Sequence, residues 1–314
     1  MLKKVNLLII FLILIFSIFN ILINIDQCSG KENNFFYVGG IGTGNYTTIQ
    51  GAINESGDND TIYVYNGIYN EKIIINKSIN LVGFDKNSTI LSGNNSLYII
   101  FIKSSWINIT GFTIQNGKMG IYISDVNYSF NNISKNILQD NWEGIRLYKS
   151  SNNKIINNYF SNNKNLGVIL DESKNNILYN NRFFNSNKAI ILNRWSDGNL
   201  ILKNNLTDNF IGLSLYSSFR NLIDKNFIAN CTNGLYLSYS TNNTIIENII
   251  EFNDRYGIFL ISSYDNEITQ NYFFNNYQDI KKGPEPPKIK APGFELIIFV
   301  GSLLYILFIR KKLR

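Results

Sequence analysis

An internal repeat of 22 to 24 residues runs from about residue 120 to about residue 280 and leaves few folds open. Each repeat opens with a small residue, and two aliphatic residues in alternating positions follow it. The opening residues are Gly120, Gly144, Gly167, Ala189, Gly212, Gly234 and Gly257. The aliphatic pairs are Ile121/Ile123, Ile145/Leu147, Val168/Leu170, Ile190/Leu192, Leu213/Leu215, Leu235/Leu237 and Ile258/Leu260. Alternation with a period of two indicates a short β-strand with one buried face.

A second signature, Asn-x-aliphatic-x-x-Asn, follows the first in every repeat. Its first Asn is residue 131, 153, 176, 199, 221, 243 or 266, and its second is residue 136, 158, 181, 204, 226, 248 or 271. Asn suits turns because it tolerates the left-handed conformation, and stacked amides also form hydrogen-bonded ladders. A leucine-rich repeat has a similar period, but it requires its own Leu pattern and usually a helical segment.

The repeat therefore predicts an all-β fold, a right-handed, single-stranded parallel β-helix with three short strands per coil of about 22–24 residues. Equivalent strands of successive coils pair in parallel about 4.8 Å apart, and their apolar columns stack into one core. Residues 61–280 are assigned to this domain and residues 31–60 to an N-terminal cap. A short amphipathic helix over 47–55 is expected to cover the open end of the core.

Composition removes several classes of chemistry. The chain has no His and only two Cys. Ser-His-Asp hydrolases, Cys-His proteases and His-ligated zinc or copper sites are therefore excluded, as are four-thiolate clusters. The formal charge of +6 lies largely at the two ends, since residues 31–294 contain 23 basic and 21 acidic residues. No basic stripe stands out, so a nucleic-acid partner is not expected.

Both ends of the chain predict a membrane context. Residues 1–30 have the layout of a signal peptide, with Lys3 and Lys4 before a long apolar stretch; an uncleaved anchor is the alternative. Residues 281–294 form a Pro-rich linker, and residues 295–314 combine an apolar run with a basic tail. That tail is expected to remain cytoplasmic.

The C-terminal layout resembles the PGF-CTERM sorting signal of archaeal surface proteins, and its motif is Pro292-Gly293-Phe294. The resemblance implies processing by an archaeosortase-type enzyme and lipid anchoring at the cell surface, with a plain C-terminal transmembrane anchor as the alternative. Sequons for N-glycosylation agree with an exterior location. They begin at Asn45, Asn54, Asn59, Asn76, Asn87, Asn94, Asn108, Asn127, Asn132, Asn205, Asn230 and Asn242.

The first coils carry a family resemblance. The segments 46–50, 60–64, 67–69 and 79–83 look like the start of pectin-lyase-like β-helix proteins, and the Gly-led, Asn-rich coils are similar to the NosD-like β-helix region. The resemblance spans roughly residues 36–280. NosD-like proteins carry a copper-binding label. The only soft donors in this region are Cys231 and Met119, so a copper-associated function is disfavoured.

A β-helix enzyme that acts on polysaccharide would carry its catalytic groups in a lateral groove, at positions that face outward from the coils. Five residues after the coil openings stand Asp125, Lys149, Glu172 and Arg194. One hypothesis is a polysaccharide lyase or glycoside hydrolase that uses Asp171, Glu172, Arg194 and Lys149. Calcium is a cofactor only if the protein is a lyase.

The favoured alternative is a surface ladder of paired charges with no catalytic set and no cofactor. The candidate carbohydrate-binding residues are then Tyr148, Trp195 and Asp125. The predicted function is an exported, membrane-anchored cell-surface protein that serves the envelope or binds carbohydrate without cleaving it. Its expected partners are the membrane and a polysaccharide or envelope glycoprotein.

Overall fold

A computed structural model describes residues 33–284. In that region the chain winds into a right-handed parallel β-helix of about 11 turns. The predicted fold class is therefore confirmed. The wall of the solenoid consists of three parallel sheets with 11, 10 and 10 strands.

The strands of the first coils, together with a strand that precedes them, were only partly anticipated from the sequence. They are β1 (Phe35–Val38), β2 (Thr61–Val64), β3 (Gly67–Tyr69), β4 (Ile73–Ile75), β5 (Asn80–Gly83), β6 (Thr89–Ser92), β7 (Tyr98–Ile102), β8 (Asn108–Thr110) and β9 (Thr113–Gln115). Strand β1 lies inside the segment assigned to the cap, yet it pairs in parallel with β2. Its alternation is short and is followed by Gly39-Gly40, which hid it in the sequence.

The regular coils each contribute one strand of six residues and two of three, apart from a final strand of five. They are β10 (Met119–Ser124), β11 (Asn132–Ser134), β12 (Ile137–Gln139), β13 (Glu143–Tyr148), β14 (Lys154–Ile156), β15 (Tyr159–Ser161), β16 (Leu166–Asp171), β17 (Ile177–Tyr179), β18 (Arg182–Phe184), β19 (Lys188–Asn193), β20 (Leu200–Leu202), β21 (Asn205–Thr207), β22 (Ile211–Tyr216), β23 (Leu222–Asp224), β24 (Phe227–Ala229), β25 (Asn233–Ser238), β26 (Thr244–Ile246), β27 (Ile249–Glu251), β28 (Tyr256–Ile261), β29 (Glu267–Thr269), β30 (Tyr272–Phe274) and β31 (Gln278–Lys282).

Every third strand belongs to the same sheet. Sheet A contains β1, β2 and then each third strand from β5 to β29; sheet B runs from β3 to β30, and sheet C from β4 to β31. Sheet C holds the six-residue strands. Its register aligns the predicted inward columns, for example Ile145 with Val168 and Leu147 with Leu170.

The core is one continuous apolar column system along the axis. The aliphatic columns predicted from the repeat are buried in all three sheets, including Ile133 and Ile155 in sheet A and Leu138 in sheet B. Phe160 and Phe183 stack with parallel rings 4.5 Å apart between successive coils of sheet B. Burial of these columns supplies the main driving force for folding.

The one helix within residues 33–284, α1 (Ile49–Glu55), caps the N-terminal end of the core, as predicted. Thr48 is its N-cap, and its hydroxyl accepts a hydrogen bond from the Gly51 N–H. The Glu71 carboxylate also accepts the backbone N–H groups of Ile49 and Gln50, at 3.0 and 3.1 Å. The buried face of α1 thereby closes the end of the solenoid against water.

Asn side chains form ladders at the inner corners of the coils. At the corner between sheets A and B, the column runs from Asn136 to Asn271 and is all Asn. In each step, a side-chain oxygen accepts the backbone N–H of the residue one coil earlier; the Asn158 N–H donates to Asn181 Oδ1 over 2.9 Å. The Asn181 Nδ2 group donates to the Ile155 carbonyl over 2.8 Å. These ladders satisfy polar groups that the corners bury.

The left-handed turn residues stand one position before the ladder residues. Asn157 and Asn180 have φ values of 57° and 53°, whereas their neighbours Asn158 and Asn181 are outside the left-handed region. The sequence assigned both roles to Asn without separating them. The structure gives turn formation to the first Asn of each pair and ladder formation to the second.

Several predicted segments lie outside the described residues. These are the signal peptide (1–30), most of the Pro-rich linker with Pro292, Gly293 and Phe294, and the C-terminal segment 295–314. Within residues 33–284, no helix has the length and apolarity needed to span a bilayer.

Candidate carbohydrate-binding site

The candidate residues gather where the strands of sheet C end and the chain turns toward sheet A. Tyr148 and Asp171 are the last residues of β13 and β16. The residues that follow them, Lys149 and Glu172, adopt left-handed φ values of 54° and 51°. Consecutive strand residues face opposite sides of a sheet. Because the left-handed residues end the strand, this alternation stops at Lys149 and Glu172, whose side chains lie 3.7 Å apart.

Asp171 is the centre of a charge network across three coils. Its carboxylate is only 1% exposed, and it accepts a hydrogen bond from Arg194 Nε over 2.8 Å. Asn193 Nδ2 donates to the same carboxylate over 3.2 Å, and Arg146 Nη1 lies 3.8 Å away. Arg146 in turn donates to both oxygens of Glu143 over 2.7 Å. Two carboxylates and two guanidinium groups thus neutralise one another in a row.

A second, more exposed pair lies beside this network. Lys149 Nζ is 3.7 Å from Glu172 Oε2, and it also lies 5.0 Å from the centroid of the Tyr148 ring. The Tyr148 side chain and then the charge of Glu172 raise the pKa of the Lys149 ammonium. Hydrogen bonding to Asp171 likewise raises the pKa of the Arg194 guanidinium. Both shifts favour the protonated, charged form of these side chains.

The acidic candidates of the lyase or hydrolase hypothesis both lie within ion pairs. In the part of the chain that the structure describes, no group of three or more His, Cys, Asp or Glu residues is placed to hold a metal ion. Asp171 and Glu172 are engaged by separate cations rather than held as a free carboxylate pair. Each charged candidate of the patch thus has an oppositely charged partner.

Trp195 provides an exposed aromatic surface next to these charges. Its side chain is 57% exposed, and it borders a depression of about 550 Å³. The depression is lined by Val126, Lys149, Ser151, Glu172, Lys174 and Trp195. An aromatic face surrounded by hydrogen-bonding groups is a suitable surface for a sugar ring.

Asp125 and Tyr148, the other two candidates for carbohydrate binding, do not line the depression beside Trp195. Asp125 Oδ1 accepts hydrogen bonds from the backbone N–H and the Nδ2 group of Asn127, at 2.9 and 3.0 Å. It therefore closes its own turn. Tyr148 is engaged by the Lys149 ammonium and is not among the residues that line the depression.

Sequence reasoning missed three charged residues that shape this region. Arg146 and Glu143 complete the network around Asp171, and Lys174 lines the depression while pairing with Asp197 at 3.7 Å. Arg146 and Glu143 belong to the outward positions of β13. A comparison of every outward column of sheet C, instead of the turn column alone, would have included them.

The sulfur atoms among residues 33–284, those of Cys231 and Met119, do not fit a copper site. Cys231 is fully buried, and burial raises the pKa of its thiol from 9.0 to about 12. Its Sγ lies 3.3 Å from the Ala229 carbonyl oxygen. Cys231 belongs to the corner column between sheets B and C, which is formed by residues 141, 163, 186, 209, 231, 253 and 276. Met119 belongs to β10 on sheet C, and the sequence offers no imidazole to join either sulfur. Copper sites in proteins draw on imidazole and on accessible thiolate or thioether groups.

The sequon Asn residues are separate from the ladder Asn residues. None of the twelve sequon positions is buried, whereas the ladder positions between residues 131 and 253 are almost completely buried. The sequon positions are thus partly or fully exposed, and the ladder amides are committed to internal hydrogen bonds.

Solved structures share the fold at low sequence identity. XylC in complex with xylose matches with a TM-score of 0.55 and 11% identity, covering 79% of this chain and 70% of that one. The A-module of mannuronan C-5 epimerase AlgE4 from Azotobacter vinelandii gives a TM-score of 0.45 and 12% identity, covering 80% and 100% of the two chains. At this identity the XylC match shows the β-helix fold alone.

A curated relative is more similar in sequence. The cell surface glycoprotein of Methanothermus fervidus (strain ATCC 43054 / DSM 2088 / JCM 10308 / V24 S) is 34% identical over 270 residues. The aligned region is 73% of this chain but only 42% of the relative's length.

A family model agrees with the repeat architecture. The model for the periplasmic copper-binding protein (NosD) matches residues 53–228 and 196–286. These two overlapping matches cover most of the solenoid and more than half of the chain. The chain therefore belongs to the NosD family.

Proposed function

We propose that the protein is a cell-surface component that binds envelope carbohydrate without cleaving it. The observation that carries this proposal is the combination of an exposed Trp195 with charges that are already paired. The site offers a stacking surface and hydrogen-bonding groups, and among residues 33–284 no group of three or more His, Cys, Asp or Glu residues is placed to hold a metal ion.

The surface location has two kinds of support. The relative from Methanothermus fervidus is a cell surface glycoprotein, and twelve sequons lie on unburied positions of this chain. The layout of residues 281–314 supports C-terminal anchoring after archaeosortase-type processing, with the solenoid outside the cell. Copper delivery has no such support, since neither Cys231 nor Met119 belongs to a suitable donor set.

Binding is tested with the full-length chain in detergent and a panel of immobilised neutral and acidic polysaccharides. We expect retention on at least one polymer, with no new reducing ends and no unsaturated products, with or without calcium. Trp195→Ala should lower retention roughly tenfold, because the stacking surface is lost.

Trp106→Ala is the matched control. Trp106 is also an exposed tryptophan with a left-handed φ, but one face of its ring is stacked on Phe130 at 4.6 Å. This control should retain binding. Cleavage of any polymer would replace the proposal with the lyase or hydrolase alternative, and equal retention by Trp195→Ala would remove the proposed site.

A further inference from the structure

A second depression lies at the opposite end of the sheet C strands, where the chain enters them from sheet B. It has a volume of about 430 Å³ and is lined by Asn95, Gly117, Lys118, Asp140, Trp142 and Lys164. Trp142 directly precedes β13, whereas Trp195 follows β19. The two tryptophans therefore belong to two separate surfaces.

The floor of this depression is a fixed piece of backbone. The Trp142 N–H donates to the Gly117 carbonyl over 2.9 Å, and the Lys164 N–H donates to the Asn141 carbonyl over 2.8 Å. The Lys118 N–H donates to the Ser96 carbonyl over 2.8 Å. These bonds join neighbouring coils and hold the side chains of the depression at fixed heights along the axis.

Two lysines stand on either side of Trp142. Lys118 lies one coil before it and Lys164 one coil after it, so their backbone positions are about 10 Å apart along the axis. Trp142 is 53% exposed, and within the described residues it has no aromatic stacking partner, unlike Trp106. A flat apolar surface is thus placed between two ammonium groups.

The charges here are unpaired, in contrast to those near Trp195. Among residues 33–284, neither Lys118 nor Lys164 takes part in an ion pair, whereas Lys149 and Lys174 each contact a carboxylate at 3.7 Å. Asp140 is the only acidic residue lining this depression in the described part of the chain, which leaves a net charge of +1. Glu143, next to Trp142, is already bound by Arg146.

We propose that the Trp142 depression binds an acidic sugar residue of a polysaccharide. The apolar face of the sugar ring packs on Trp142, and its carboxylate or sulfate group binds the Lys118 and Lys164 ammonium groups. The Asp140 carboxylate accepts hydrogen bonds from the sugar hydroxyls, and the Asn95 side-chain amide donates to them or accepts from them. Charge complementarity favours an anionic sugar over a neutral one, since neither lysine has a carboxylate partner among residues 33–284.

The test measures binding of hexagalacturonate and its carboxyl-reduced, neutral counterpart to the full-length chain carrying Trp195→Ala. That background separates this site from the proposed Trp195 site. We expect the acidic hexamer to bind at least about tenfold more tightly than the neutral one at low salt, with a preference that shrinks as salt rises. Lys118→Gln/Lys164→Gln should abolish the preference, and Trp142→Ala should weaken binding of both hexamers.

Matched controls are Lys72→Gln/Lys154→Gln, two exposed lysines elsewhere on the solenoid, and Trp106→Ala. Both should bind like the parent, and circular dichroism should show an unchanged thermal midpoint for every variant. Equal binding of the two hexamers would overturn the acidic-sugar assignment. A preference that survives Lys118→Gln/Lys164→Gln would place the anion elsewhere, and loss of the site in both control variants would indicate a non-specific effect.

Discussion

The inner and outer sides of one corner of the coil obey different rules. On the inner side, between sheets A and B, seven successive coils from residue 136 to residue 271 all carry Asn. On the outer side, one residue earlier, the same coils carry Lys135, Asn157, Asn180, Lys203, Lys225, Glu247 and Gln270. All seven outer residues have a left-handed φ, so the backbone is equally regular on both sides.

Hydrogen bonding explains the difference. An inner residue must accept a hydrogen bond from the backbone N–H of the previous coil and donate one to a buried carbonyl. Asn181 does both, because its Oδ1 accepts from the Asn158 N–H and its Nδ2 group donates to the Ile155 carbonyl. Among the side chains, Asn combines this acceptor and donor at the shortest length. An outer residue only needs to tolerate a left-handed turn while its side chain is in water.

The repeat is therefore specified by the interior, and the exterior is free to differ from coil to coil. Functional differences between coils therefore lie in side chains on the outside of the solenoid, and both tryptophan depressions are on that surface. In a solenoid, each coil contacts mainly its two neighbours, so an outer change in one coil leaves the others nearly unaffected.

Asn181→Ala should have the largest effect on stability. It leaves the Asn158 N–H and the Ile155 carbonyl without their partners in a fully buried column, which costs about 3 kcal/mol or more. Urea unfolding monitored by circular dichroism measures the loss.

The adjacent outer residue supplies the control. Asn180→Lys places at this turn the residue type that Lys203 has one coil later, also with a left-handed φ. We expect a change within about 0.5 kcal/mol. A comparable loss from both substitutions would contradict the division between inner and outer positions.

Arg194→Ser should have an intermediate effect. It removes the guanidinium from the buried Asp171 carboxylate, but Asn193 and Arg146 remain, so we expect a smaller loss of stability than Asn181→Ala causes. Ser occupies the equivalent left-handed position at Ser217 and Ser262, which excludes a backbone cost. Unfolding in urea gives the value.

Lys149→Ser is the companion substitution in the same outer column. Its partner Glu172 is 3.7 Å away and both side chains are partly in water, so the loss of stability should be smaller than that of Arg194→Ser. Polysaccharide retention should survive Arg194→Ser, whereas a catalytic Arg194 would make this variant inactive on a cleaved polymer.

The sequence predicted the apolar columns residue by residue, because a period of 22–24 residues superimposes every coil on the next. It could not decide which Asn of a pair such as Asn157-Asn158 faces inward. The two residues are of the same type, and the one that adopts the left-handed φ is the one whose side chain faces outward. The backbone geometry of the turn, which is set by neighbouring coils, makes that choice.

The charge pairing was predicted in kind but not in detail. The alternation of sign along the turn column suggested ladders, and Lys149 does pair with Glu172. Arg194, however, binds Asp171 instead of the next member of its own column. A long guanidinium reaches diagonally across the strand end, and a single column comparison contains no information about such diagonals.

Cys231 interrupts the corner column between sheets B and C, and its replacement is expected to raise stability rather than lower it. The equivalent residues in neighbouring coils are Asn209 and Asn253, and Asn253 Oδ1 accepts the Cys231 N–H over 3.0 Å. Cys231→Asn would replace a weak sulfur acceptor at the Asn209 N–H with an amide oxygen, and its Nδ2 group would reach buried acceptors. We expect a gain of about 1 kcal/mol near pH 7, measured by urea unfolding.

The pH dependence of this gain provides an independent check. Burial raises the pKa of the Cys231 thiol from 9.0 to about 12, so the folded state favours the neutral thiol. The wild-type protein is unaffected below pH 9 and loses stability relative to Cys231→Asn as the pH rises from 9 toward 12, because the unfolded thiol ionises first. Iodoacetamide at pH 8 should accordingly label Cys231 only after unfolding. Labelling of Cys231 in the folded chain, located by peptide mapping, or a gain that does not change with pH would show that the thiol is not sealed inside the column.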